Sequence, residues 1–69
     1  MTSDELDKIR ISLDMRHSDL AVLGGVTTRC VREWTSGRRP VPRAIAILMK
    51  AIENGFITET WLLKQIKRH

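Results

Sequence analysis

The stretch from His17 to Ser36, HSDLAVLGGVTTRCVREWTS, decides how this chain folds. Leu20 and Leu23 fall on one face of a short helix over about residues 17–23, with Ala21 beside them. Gly24-Gly25 stops that helix, because glycine tolerates the left-handed turn that closes a helical segment. Thr27 is a good N-cap for a further helix over about residues 28–35, which Ser36-Gly37 ends. At about 100° per residue, Val31 and Trp34 define a buried face of this helix and Cys30 lies at its flank. Thr28, Arg29, Arg32 and Glu33 share the opposite face. That outer face reads either as a solvated surface, with an Arg29–Glu33 pair one turn apart, or as a recognition surface of long side chains.

Ahead of this stretch, Thr2-Ser3-Asp4-Glu5 is a capping-box pattern, and Leu6, Ile9 and Leu13 follow at helical spacing. They predict a first helix over about residues 3–14. Beyond it, Pro40 and Pro42 frame a stiff connection, with Pro42 placed for the first turn of a fourth helix. That helix runs to about Glu53 and stops at Asn54-Gly55. Thr58 caps a fifth, over about residues 58–68, which carries Trp61, Leu62, Leu63 and Ile66. No strand pattern, repeat, low-complexity tract or internal linker interrupts the series. The chain reads as an all-α, compact five-helix domain spanning residues 1–69.

Composition excludes several classes. Of the 69 residues, 42% are apolar and 29% charged, a globular rather than a disordered balance. Cys30 stands alone, so no internal disulfide framework is expected and a reducing cytoplasm suits the chain. His17 and His69 lie far apart in sequence, so no ligand set has metal spacing and no cofactor is expected. The longest apolar run, Ala44 to Met49, is too short to cross a bilayer, and the acidic start is not a secretory leader. No Ser-His-acid, Cys-His or paired-carboxylate arrangement can be assembled, and Gly24-Gly25 lacks the strand and lysine of a phosphate loop. Neither an enzyme nor a small-molecule substrate is expected.

The net charge is +4, and its placement matters more than its size. Between residues 16 and 43, Arg16, Arg29, Arg32, Arg38, Arg39 and Arg43 face only Asp19 and Glu33. Every cation there is arginine, the side chain suited to forked contacts with phosphate and guanine. A polyanion is the partner this distribution suggests, unless the protein is basic for no specific reason.

Residues 17–36 resemble the helix-turn-helix of the Cro/C1-type repressors, the XRE family, whose fold is lambda-repressor-like. Ala21 stands at the family's small position, Gly25 at its turn glycine, and Leu20, Val26, Val31 and Trp34 at its packed apolar positions. The tail from Trp34 to Pro42, WTSGRRPVP, is also typical, and the resemblance extends from Glu5 to about Ile52. Two positions depart. Gly24 replaces an apolar residue, so that either the second helix ends early or the third packs unusually close. Arg16 replaces the Ser or Thr cap of the second helix, as a phosphate contact or as a poorer cap.

The resemblance implies a sequence-specific regulator of double-stranded DNA. Thr28, Arg29 and Glu33 match the base-contacting positions, with Arg32 beside them; Arg29 would fork onto guanine, and Glu33 would accept from cytosine or hold Arg29. Arg16, His17, Thr27, Ser36, Arg38, Arg39 and Arg43 would meet phosphates, setting affinity and register. Small phage and mobile-element regulators belong to the family, including autorepressors associated with anti-CRISPR operons, although no residue selects that subgroup. An antitoxin that binds a toxin protein and autoregulates its operon shares the same domain. A homodimer is expected through Ile47, Ala51, Phe56, Ile57, Trp61 and Leu62, because the last two helices carry more apolar surface than one small core buries. The alternative is a monomer in which the fifth helix covers the second apolar stripe of the fourth, Ala44, Ile47 and Ala51.

Overall fold

The computed structural model describes residues 1–67, apart from the side chains of Glu59 and Lys67. It contains α1 (Ser3–Ser12), α2 (His17–Gly24), α3 (Thr28–Ser36), α4 (Arg43–Glu53) and α5 (Glu59–Lys67). No strand occurs among the described residues, so the chain is all-helical. Arg68, expected at the end of the fifth helix, and His69 lie outside the described residues.

The capping box ahead of α1 forms. The Thr2 hydroxyl accepts from the Glu5 N–H at 3.1 Å, and the Glu5 carboxylate accepts from the Thr2 N–H at 3.3 Å. The Thr2 N–H foremost, and then the Thr2 hydroxyl donating to Glu5 Oε1 at 3.2 Å, hold the Glu5 carboxyl below its ordinary range. The helix ends earlier than its apolar spacing predicts: Leu13 is the C-cap and Asp14 turns left-handed at φ 55°. The reversal sends Met15, 5% exposed, into the core, and the Met15 N–H donates to the Arg10 carbonyl at 3.0 Å. Arg10 clamps the turn from the side. Its Nη1 donates to the Met15 carbonyl at 2.8 Å while Nη2 and Nε donate to Asp7 at 2.7 and 3.0 Å.

Arg16 is the N-cap of α2, and a guanidinium has no acceptor to offer the first turn. Asp19 supplies the other half of the cap, its carboxylate accepting from the Arg16 N–H at 2.9 Å. The helix then runs through Gly24 rather than ending early, and Gly25 closes it at φ 67°. A methyl on Gly24 would lie 3.3 Å from Ile45 Cδ1 and 3.6 Å from Val26 Cγ2. The missing side chain therefore admits Ile45 of α4, not a closer α3. Val26, expected among the packed positions, is 37% exposed because it sits in the turn after Gly25, outside the inner face of either helix.

The core is apolar throughout, and no polar or charged residue is buried among the described residues. Leu6 and Ile9 of α1, Leu20 and Ala21 of α2, Val31 and Trp34 of α3, and Ile45, Met49 and Ile52 of α4 meet Met15 and Leu62 there. Around it α3 packs on α2 and α1, while α4 packs on α1. Pro42 precedes α4 as its N-cap rather than lying inside its first turn, and the Pro42 carbonyl accepts from the Ala46 N–H at 3.0 Å.

The cap by Thr58 forms, its hydroxyl accepting from the Trp61 N–H at 3.2 Å. Packing of α5 against α2 corrects one expected interface residue: Leu62 is a core residue, 5% exposed, and unavailable to a partner. Ile57 is half-buried and also rests on the core. Phe56, Ile47 and Trp61 stay exposed, at 82%, 59% and 47%, and Ala51 is half-buried. The second stripe of α4 is thus left with Ala44 and Ile47 in solvent. No helix among the described residues is long and apolar enough to cross a membrane.

Gly25 offers a clean test of the turn, because a Cβ there meets nothing within 4 Å and the penalty is the backbone's alone. Gly25→Ala is expected to lower stability in urea by about 1–2 kcal/mol, and Gly25→Asn by less. Wild-type stability in Gly25→Ala would show that the left-handed turn is dispensable.

Candidate nucleic-acid interface

The outer side of α3 is set by what its inner side buries. Val31 and Trp34 are 0% and 3% exposed, which fixes the rotation of the helix about its axis. Arg29 and Arg32 are consequently exposed, with Thr28 and Glu33 half-buried at the margins. At the start, the Thr27 hydroxyl accepts from the Cys30 N–H at 3.1 Å and leaves its own proton for an outside acceptor. At the end, Gly37 turns left-handed at φ 83°, and the chain folds back so that the Arg38 and Arg39 N–H groups both donate to the Glu33 carbonyl, at 2.9 and 3.1 Å.

That reversal redirects Glu33. Its carboxylate lies 3.6 Å from Arg39 Nε, and the one-turn pair with Arg29 does not form. Arg29, Arg32, Arg38 and Arg43 have no carboxylate within ion-pair distance among the described residues. Arg29 and Arg32 stand on α3, Arg38 in the turn after it, and Arg43 at the first position of α4, all exposed. These are the cations a polyanion would meet at least cost.

Three other sequence candidates are partly engaged. The Ser36 hydroxyl donates back to the Glu33 carbonyl at 3.2 Å, which spends its one proton inside its own helix. The Arg16 guanidinium leans on Asp19 at 3.3 Å, and its bonds hold the Asp19 carboxyl below its ordinary range while raising the arginine. His17 turns inward, its Nε2 lying 3.2 Å from Thr35 Oγ1. The Thr35 hydroxyl donates to the Arg32 carbonyl at 3.2 Å, so the network assigns the imidazole proton to Nε2, donating into Thr35. The side chain of His17 thus acts as a strut from α2 to α3. The main-chain N–H groups of His17 and Ser18 precede the first intrahelical bonds, which run from Asp19 and Leu20 to the Arg16 carbonyl.

Desolvation, then the nearby Arg10 and Arg32, push the His17 pKa down, against a smaller opposing pull from Asp7. Arg10, Asp19 and Thr35 support the surface without joining it. Asp7–Arg10 and Arg16–Asp19 are spacings of three that a helix brings together, whereas His17–Thr35 spans two helices and has no local signature. Among the described residues no group of three metal-ligating side chains comes together.

Burial and the nearby arginines disfavour a charged imidazole in the folded chain, so the stability linked to His17 is complete above its unfolded value near 6.5 and is lost as pH falls through the lower folded value. The melting temperature should therefore drop on going from about pH 7.5 to 5, and His17→Gln should drop less. Equal drops would show that protonating His17 costs the fold nothing. The chain matches no protein-family model, no curated protein and no solved structure.

Proposed function

We propose that this protein is a sequence-specific, double-stranded DNA-binding transcriptional repressor of Cro/C1 type, with α2 and α3 as its helix-turn-helix. The observation that carries the reading is the set of exposed arginines without an ion-pair partner among the described residues, Arg29 and Arg32 on the outer side of α3, Arg38 in the turn after it and Arg43 at the start of α4. On this reading α3 enters the major groove, where Arg29 donates two bonds to guanine O6 and N7 and Thr28 and Arg32 address neighbouring bases. Arg38, Arg43, the Thr27 hydroxyl and the N–H groups at the start of α2 hold phosphates, which fixes register without reading sequence.

The active species is a homodimer through Phe56, Trp61 and Ile47. An 82% exposed phenylalanine beside a half-exposed tryptophan is costly surface for a lone monomer and a natural seat for a second copy. Twofold symmetry would place two recognition helices about 34 Å apart on a near-palindromic site.

Duplexes selected from a random pool by the wild-type protein supply the probe. Arg29→Ala is expected to cost roughly 1–3 kcal/mol on the selected site and to relax one base position. Equal losses on selected and random duplexes would move Arg29 to the phosphate contacts. Arg38→Ala should weaken both and flatten the dependence of log K on log salt by about one unit. An unchanged slope would make it plain solvated surface. Sedimentation at micromolar protein should give twice the chain mass, and Phe56→Asp or Trp61→Ala should shift it toward the monomer and weaken site binding. A monomeric mass with full affinity would sink the dimer.

A further inference from the structure

We propose that Glu33 is a specificity-determining residue that holds Arg39 back from phosphates on arbitrary DNA; the inference rests on the DNA-binding reading above. Glu33 is the sole carboxylate on the outer side of α3 and is doubly committed to the turn that follows. Its carbonyl receives the N–H groups of Arg38 and Arg39, and its carboxylate lies 3.6 Å from Arg39 Nε. The main-chain bonds fix where Arg39 starts, so the reversal at Gly37 is what brings its side chain, 62% exposed, within reach of Glu33. Arg38, the adjacent arginine in the same turn, has no such partner among the described residues.

The consequence follows from how the two modes of binding are driven. Attraction to arbitrary duplex comes almost wholly from cations that displace counterions at phosphates. A carboxylate within the reading surface subtracts from that attraction twice, by repelling phosphate and by engaging one arginine. On the right site the loss is offset, because a cytosine N4 amino group donates to the carboxylate in the major groove. Glu33 therefore lowers affinity for wrong sequences more than for the right one. It acts by exclusion, through the charge it carries and the arginine it retains.

The test compares a random-sequence duplex with the duplex selected by the wild-type protein, across a salt series. Glu33→Gln is expected to tighten random-duplex binding roughly threefold to tenfold and to steepen its salt slope by about one unit. Binding to the selected duplex should hold or weaken, so that discrimination falls by roughly threefold or more. Glu33→Asp keeps the charge and should keep the wild-type slope. In an Arg39→Ala background Glu33→Gln should no longer steepen it. Arg39→Ala alone, which needs no change at Glu33, should flatten the random-duplex slope far less than Arg38→Ala does. Equal tightening on both duplexes, an unchanged slope in Glu33→Gln, or matching losses from Arg38→Ala and Arg39→Ala would overturn the role. Absence of salt-dependent binding by the wild-type protein to either duplex would instead overturn the DNA-binding reading itself.

Discussion

The burial of Val31 and Trp34 is the constraint on which everything else in this molecule depends. Two side chains, three residues apart on α3, enter a core shared with Leu6, Ile9, Leu20 and Ala21. Truncating a buried tryptophan costs about 3–5 kcal/mol, which is comparable with the whole stability available to a domain of this size. The same contact that holds the molecule together therefore sets which way Arg29 and Arg32 face. Fold and surface chemistry are not separable here.

A core without polar groups has a further effect. Every charged side chain must lie outside or at the margin, where it pairs locally or waits for a partner. Arg10 and Arg16 pair locally, with Asp7 and Asp19, and both pairs serve the turn between α1 and α2. Arg29, Arg32, Arg38, Arg39 and Arg43 follow on α3 and the chain that leaves it. Of these only Arg39 has a carboxylate within ion-pair distance among the described residues, so the first turn is neutralised locally and the stretch from Arg29 to Arg43 largely is not.

Much of this was legible in the sequence, and the failures have physical causes. Thr2, Thr27 and Thr58 announced three helix starts, since a cap needs only its own neighbours. The buried face of α3 followed from Val31 and Trp34 alone, because the rest of that helix is polar apart from Cys30. α5 gave no such guidance: Trp61, Leu62 and Leu63 are consecutive, and periodicity cannot say which of them turns inward. The short connection from Asn54 to Thr58 decides that choice by aiming α5 at α2, and Leu62 goes in. Likewise, helical spacing paired Glu33 with Arg29, whereas the reversal at Gly37 delivered Arg39. Asp14 was unreadable as a left-handed residue because the demand comes from Met15 and the core, not from Asp14 itself. Of the proposed DNA-facing set, Arg29, Arg32, Arg38 and Arg43 emerge exposed, while His17 and Ser36 are drawn into internal hydrogen bonds.

The two tryptophans divide the molecule optically. Trp34 is 3% exposed inside the apolar core, and Trp61 is 47% exposed beside Phe56 at the far end of the chain. With no tyrosine in the sequence, their emission is uncontaminated. The indole at 34 emits from a dry environment and is shielded from aqueous quenchers until α3 leaves the core, whereas the indole at 61 is open to iodide from the start. One cuvette thus holds two independent gauges, a blue-shifted one for the integrity of the fold and a quenchable one for whatever covers the C-terminal surface.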